Sequence, residues 1–315
     1  LRLARIIKLI GGLYTIQDLK SGELLDAVAS GKLRFVRVDE YSPFNVSVSR
    51  RTKKEPQTVQ ISPKVGDIVR YDDEDDNNPI QEVFERKNEL FRPDIANIDQ
   101  ILLMFSAVLP DLSYILLDRF LVIMEQANIK PIIIISKIDL INEEEHNELE
   151  RNIMYYKKIG YDVHLVNNLD AETLEDLEDV FKDKVTAVAG QTGVGKSTLL
   201  NSLRPDLELR TQEPSKALGR GKHTTRHTEL FLYKGGLVAD TPGFSKLSFG
   251  KITETELKEY FIEFGQYSLG CKFKNRCYHI NEPDCNVKNN DEILESRRNN
   301  YQLFYNEIKD KKEIY

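Results

Sequence analysis

The sequence has no tryptophan, only 3 cysteines and 5 histidines in 315 residues, and no long apolar run. So few cysteines, odd in number, exclude a disulfide scaffold. The apolar stretch Ile132 to Ile135 ends in Ser-Lys and falls far short of the roughly 20 residues a membrane helix needs, so no membrane partner is expected. No charged-then-apolar leader follows Leu1, and a secretory signal is therefore not expected. The net charge of −7 excludes a uniformly basic nucleic-acid binder but leaves room for local basic regions. With 40% hydrophobic and 30% charged residues, the chain has the material for more than one core. A soluble, cytoplasmic, multidomain protein is expected.

Residues 1 to 70 alternate short apolar and β-branched runs with Gly, Pro and Ser. Strands are expected at Ile6 to Ile10, Gly12 to Ile16, Leu33 to Val38, Asn45 to Val48 and Asp67 to Val69, as in a small barrel or sandwich. This stretch carries 13 Lys and Arg against 7 Asp and Glu, the charge of an RNA platform or of an ordinary solvated barrel surface. The run Asp72 to Pro79 has like charge and no apolar period, and reads as a linker.

Beyond residue 90 the pattern changes. Apolar strands (Gln100 to Phe105, Lys130 to Ile135, Val163 to Val166, Val185 to Ala189, Gly236 to Ala239) alternate with helical segments (Tyr114 to Ala127, Glu143 to Ile159, Leu174 to Phe181). This is the pattern of a parallel sheet covered on both faces. After residue 251 the chain becomes helical and polar, closing on an amphipathic segment from Arg297 to Ile308.

Val185 to Ala189 runs into Gly190, Gln191, Thr192, Gly193, Val194, Gly195, Lys196, Ser197 and Thr198, a complete phosphate loop between a strand and a helix. Its glycines let backbone N–H groups curl around phosphate at the positive end of a helix. Lys196 is expected on the β and γ phosphates, and Ser197 on Mg²⁺.

Asp240-Thr241-Pro242-Gly243 ends an apolar strand about 45 residues later, placing Asp240 near Mg²⁺ and the Gly243 N–H on the γ phosphate. Ser136-Lys137-Ile138-Asp139 has the shape of a guanine-reading motif. The Asp139 carboxylate accepts from guanine N1–H and the exocyclic amine, a donor pair adenine lacks, and Lys137 packs its stem over the base. Ser136 stands where Asn is usual, which puts its contact with the phosphate loop in question. The guanine motif precedes the phosphate loop, the reverse of the ordinary order, so the switch at Asp240 to Gly243 runs directly into the C-terminal region.

Cys271, Cys277, His279 and Cys285 form C-x5-C-x-H-x5-C and use every cysteine in the chain. Three thiolates and one imidazole suit one closed, structural Zn²⁺ site, with metal binding part of the region's folding free energy. Lys272, Lys274, Arg276 and Arg297-Arg298 at one end, with Arg50, Arg51, Lys53 and Lys54 at the other, form basic islands suited to RNA phosphate.

The permuted motif order, Gly219 to Arg226 (GRGKHTTR), Asp240 to Phe244 and the Cys/His cluster together resemble the RsgA/YjeQ family of circularly permuted GTPases, over essentially the whole chain. The resemblance implies an N-terminal OB-fold β-barrel that binds RNA (1–71), a linker (72–89), a permuted α/β P-loop GTPase domain (90–250) and a mostly α zinc-binding domain (251–315). It implies a cytoplasmic GTPase, expected here as a monomer, that binds GTP with Mg²⁺ and acts on the small ribosomal subunit and its rRNA.

It further implies that Thr225, or its neighbour Thr224, is the switch threonine at Mg²⁺ and the γ phosphate. Phe244 stands where many GTPases carry a water-orienting Gln, and His223 is the family's replacement. The family tends to carry Ser near the guanine where this chain has Asn167-Asn168, whose backbone can still reach the guanine oxygen. Two rival readings are a P-loop ATPase or kinase, which Asp139 opposes, and a nucleotide-gated RNA-binding zinc protein with little turnover, which the missing Gln favours.

Overall fold

The structure is a computed structural model and describes residues 1–34, 36–38, 57–59, 62–91, 94–168, 170–205, 228–240, 249–250 and 252–313. The first strands are β1 (Arg2–Ile10), β2 (Leu13–Asp18), β3 (Leu24–Val28), β4 (Val36–Val38), β5 (Gln57–Val59), β6 (Ile68–Tyr71), β7 (Ile80–Val83), β8 (Glu89–Phe91) and β9 (Asp94–Ala96). Next come β10 (Gln100–Ser106), α1 (Tyr114–Gln126), β11 (Lys130–Ser136), α2 (Glu143–Lys158), β12 (Asp162–Val166) and α3 (Ala171–Phe181). The chain continues with β13 (Val185–Gly190), α4 (Lys196–Leu203), β14 (Glu229–Tyr233), β15 (Gly236–Asp240), α5 (Phe264–Ser268) and α6 (Glu295–Glu313). Two compact units result: Leu1–Asp99 with Phe181–Ala187 and Ala217–Pro242, and Gln100–Val180 with Val188–Lys216 and Gly243–Tyr315.

In the first unit β1 and β2 form a hairpin turned by Gly11 and Gly12, both at positive φ (59° and 88°), as a tight turn matched to strand twist requires. β2 pairs β3, the first half of β1 pairs β6, and β6 pairs β7. A bridge between Ala29 and Ile80 carries β3 round to β7, so five strands close on themselves around Ala4, Ile6, Tyr14, Ile16, Val69, Tyr71 and Ile80. The expected barrel is present.

Two local expectations change. Leu33 lies in a 3-10 turn (Gly31–Arg34) and the strand begins only at Val36; Asn45 to Val48 lies outside the described residues. The stretch 72–89, expected as a linker, contains β7, whose buried Ile80 and Val83 are masked in sequence by the acidic run before them. That run closes the turn, with Asp72 N–H on the Pro79 carbonyl at 3.1 Å.

In the second unit β10, β11 and β12 are parallel, in register Leu103↔Ile133 and Ile133↔Val163. Every residue of β10 is buried, as is every residue of β11 after Lys130, the continuous apolar signature of a sheet covered on both faces. α2 starts at a capping box: Asn142 Oδ1 accepts from Glu145 N–H, and the Glu145 carboxylate accepts from Asn142 N–H. Glu143 to Glu145 in its first turn and Lys157 and Lys158 in its last complement the helix dipole.

The C-terminal segment has an apolar core of its own, larger than its polar sequence implies. Phe249, Leu257, Phe261, Phe264, Tyr301 and Phe304 cluster with the three cysteines and with Val122 of α1.

Candidate nucleotide site and metal centre

The phosphate loop begins where β13, buried throughout, ends at Gly190. A Cβ on Gly190 would lie 2.3 Å from the Met104 carbonyl oxygen, so only glycine lets the loop leave β13 against β10. Gly193 and Gly195 hold φ of 88° and 91°, and Gly195 is the N-cap of α4. Leu199 N–H bonds the Gly195 carbonyl at 2.9 Å, which starts the helix. Thr192 and Gly193 are exposed, Val194 is buried, and Gln191 and Gly195 to Thr198 are half-buried. The Lys196 ammonium donates across the loop to the Gly190 carbonyl at 3.2 Å.

The guanine-motif segment reaches this loop through Ser136. Its buried hydroxyl lies 2.6 Å from the Val194 carbonyl oxygen and 3.0 Å from that of Phe105, and its single proton serves one of them at a time. The shorter side chain therefore makes the contact that its identity put in question. Lys137 follows at φ 58° and its ammonium donates to the Leu109 carbonyl. Asp139 lies in a 3-10 turn, Ile138–Leu140, with an exposed side chain.

Sequence reasoning missed two partners. Asn168 Nδ2 donates to the Gly195 carbonyl at 3.1 Å, and its own carbonyl accepts from Ser202 Oγ at 3.0 Å. Asn168 thus ties the segment after β12 to the phosphate loop by its side chain and to α4 by its backbone. Leu109-Pro110 adjoins the same loop, with Pro110 Cδ 3.7 Å from where a Cβ on Gly193 would stand. The only sequence signal for that turn is the proline after β10.

The structure thus gathers Ser136, Lys137, Asp139, Asn167, Asn168 and Gly190 to Thr198 within one unit. Asp240 is half-buried at the end of β15 in the other unit, paired in register with Glu229. His223, Thr224, Thr225 and the rest of Gly219 to Arg226, Thr241 to Phe244, and the basic group Arg50, Arg51, Lys53 and Lys54 lie outside the described residues.

Cys271, Cys277, His279 and Cys285 are all buried, with their ligand atoms within 4.8 Å of one another. Cys271 and Cys285 Sγ stand 3.9 Å apart, and His279 Nδ1 lies 3.6 Å and 3.3 Å from them. A tetrahedral ion with metal–sulfur bonds of about 2.3 Å separates its sulfurs by about 3.8 Å, so the cage has the right size. A disulfide needs about 2.05 Å, and all three cysteines are free thiols.

Burial pushes the Cys277 thiol up to about 12, opposed by the His279 N–H and reinforced by the neighbouring sulfurs. Burial, aided by Lys258, lowers His279 to about 4, leaving a neutral imidazole. Buried thiolates without a cation are costly, and a bound ion reverses that cost. The cage could therefore hold a metal ion. Glu282 organises the turn between Cys277 and Cys285 by accepting from the N–H groups of Tyr278, Ile280 and Asn281 at 2.7, 3.0 and 3.2 Å.

One sequence reading fails here. Arg297, expected with Arg298 in a basic island suited to RNA phosphate, is wholly buried, paired with Asp118 at 2.8 Å and Glu263 at 2.7 Å. Its place on the face shared with Tyr301, Phe304 and Ile308 outweighs its charge.

A sequence profile of the RsgA GTPase family matches residues 83–250. A small ribosomal subunit biogenesis GTPase RsgA from Phytoplasma australiense is 43% identical over 99% of this chain and 98% of its own length. The protein of that name from Bacillus subtilis is 49% identical over 81% of this chain and 87% of its own. Among solved structures, YloQ, described as a circularly permuted GTPase, matches with a TM-score of 0.77 and 39% identity, over 98% of this chain and 96% of that one.

Proposed function

The chain belongs to the RsgA GTPase family, and on that premise we propose the roles by which its residues bind and hydrolyse GTP in biogenesis of the small ribosomal subunit. The observation that carries this reading is the bond from Ser136 to Val194, joined by that from Asn168 to Gly195. Through them the guanine-reading segment and the phosphate loop form one site although their order in the chain is permuted.

The amides of Gly190 to Gly195 and the Lys196 ammonium hold the β and γ phosphates, Lys196 leaving the Gly190 carbonyl to do so. Asp139 accepts from the guanine edge, Lys137 covers the base, and the Asn167-Asn168 backbone meets the guanine oxygen. Ser197 and Thr225 would hold Mg²⁺, with Asp240 beside it; when bound, the ion offsets phosphate charge. Gly243 contacts the γ phosphate, and His223 orients the attacking water. Cys271, Cys277, His279 and Cys285 hold one structural Zn²⁺. The barrel (1–71) and the zinc region (251–315) grip ribosomal RNA while residues 90–250 cycle nucleotide, in a cytoplasmic monomer.

No helix among the described residues is long and apolar enough to cross a membrane. The test is phosphate release from GTP, with ATP as control, with and without purified small ribosomal subunits. GTP-only release that subunits raise by about tenfold or more, and that His223→Ala lowers about a hundredfold, is expected. Tight GTP binding without subunit stimulation would turn the reading to a nucleotide-gated RNA binder. Full stimulated turnover in His223→Ala would remove His223 from the mechanism.

A further inference from the structure

Between two buried cysteines, Cys271 and Cys277, five consecutive residues are exposed: Lys272, Phe273, Lys274, Asn275 and Arg276. They line a concavity of about 260 Å³. Phe273 leaves 43% of its surface in solvent and has no ring partner among the described residues. Lys274 and Arg276 have no acidic partner among the described residues, and Lys272 shares only the exposed Asp284, at 3.3 Å. A local cationic rim around an exposed aromatic ring, in a chain of net charge −7, is complementary to an anionic partner with a planar group.

The loop is built to hold this shape. Three backbone bonds, Lys274 to Cys271, Arg276 to Phe273 and Cys277 to Lys274, each 3.0 Å, wind it tightly. Lys258 spends its ammonium on the Asn275 and Cys277 carbonyls beneath it. Lys274 sits at φ 48°, a conformation a lysine keeps only where its surroundings fix it. A platform already ordered gives up little entropy on binding.

We propose that Lys272–Arg276 is a docking surface for unpaired RNA, with one base stacked on Phe273 and the flanking phosphates on Lys274 and Arg276. The choice of RNA rests on the small-subunit reading above; the choice of unpaired RNA rests on the ring. Cations alone grip any phosphate backbone, whereas a phenylalanine face takes a base only where that base has no stacked neighbour.

The test uses the full-length protein, with anisotropy of a labelled, unstructured RNA of about ten nucleotides and of a duplex of similar length. Phe273→Ala should weaken single-strand binding about tenfold and leave duplex binding unchanged, and Phe273→Trp should restore it. Lys274→Ala and Arg276→Ala should each lower the log–log salt slope by about 0.7. Metal content and melting temperature check each fold, and Phe273→Leu, which keeps the bulk without the ring, replaces any alanine variant that loses metal.

Unchanged single-strand affinity in both Phe273→Ala and Phe273→Leu would overturn the proposal. So would equal losses on both RNAs. Preferential binding of a polyglutamate peptide, insensitive to Phe273, would overturn it in favour of an acidic protein. Co-sedimentation of the wild-type protein with small subunits is measured separately, so failure of the ribosomal reading is distinguishable from failure of the stacking site.

Discussion

Asp139 presents an exposed carboxylate within the phosphate loop's own unit, and in the role proposed for it the carboxylate accepts two hydrogen bonds from one base edge. Asp139→Asn turns one acceptor into a donor. GTP affinity should fall by about 10- to 100-fold, the worth of charge-assisted bonds of about 1.5–3 kcal/mol. Xanthosine triphosphate, which carries a carbonyl in place of the exocyclic amine, should gain in its place; competition binding of the two nucleotides reads both changes. Asp18 poses a different question, one of pH. Its Oδ1 accepts from the Lys20 and Ser21 N–H groups at 2.8 and 2.7 Å, and its Oδ2 from the Tyr71 hydroxyl at 2.8 Å. The Ser21 backbone bond, with Tyr71, holds it down to about 2. A depressed carboxylate stabilises the fold above its unfolded value near 4 and loses that contribution as pH falls towards about 2. The wild-type melting temperature should drop through that window, more steeply than that of Asp18→Asn. At this scale much of the site was legible, because a phosphate loop is a local property of about nine consecutive residues. Asn168 was not, since its bond to Gly195 spans 27 residues and no spacing rule forecasts it.

Elements read well where periodicity was strong and poorly where charge disguised it. The buried runs of β10, β11 and β13 and the capped α2 fall where the sequence put them. β7 was hidden behind an acidic turn, and α6 is the expected helix, but its Arg297 faces the core and not a basic island. Positions 297, 301, 304 and 308 fall at helical spacing, and all four are buried; an arginine at the first of them needs partners on the facing elements. α1 supplies Asp118, and the segment before α5 supplies Glu263. Asn300 and the Tyr156 hydroxyl complete Asp118 at 2.6 and 2.7 Å. Phe261 lies 4.5 Å beneath the guanidinium. Arg297→Met therefore leaves two buried carboxylates unpaired and should cost about 3–5 kcal/mol in denaturant unfolding. Adding Asp118→Asn and Glu263→Gln should recover most of that loss, because the uncompensated charge, not the missing contact, dominates it. Equal instability in the triple variant would assign the cost to packing instead.

Across the whole molecule, the permuted order leads the chain from Asp240, the residue proposed beside Mg²⁺, directly into the C-terminal segment. Two things hold that segment: the Cys/His cage and the helix α6. They are separable. α6 grips α1 through Arg297 with Asp118 and through a two-bond pair of Arg119 with Glu307, at 3.1 and 2.6 Å. The Arg119 guanidinium also lies 4.5 Å and 4.8 Å from the rings of Phe249 and Phe304. None of these groups is a candidate metal ligand. The loop from Cys271 to Cys285 is wound by short turns and the Glu282 carboxylate, is tied from outside by Lys258 and by the Tyr301 hydroxyl of α6 on the Tyr278 carbonyl at 2.7 Å, and its buried thiols favour a cation. Stripping the metal with a strong chelator under reducing conditions, or replacing Cys285 by Ser, should therefore melt the loop and not the helix. Hydrogen exchange should lose protection across residues 271–288 and keep it across 297–308, and GTP binding by the phosphate loop should persist. Subunit-stimulated turnover should fall, since the exposed platform at Lys272 to Arg276 hangs on the cage. Loss of protection throughout α6, or of GTP binding, would mean instead that the metal supports the whole unit, and that the buried charge network cannot hold the helix without it.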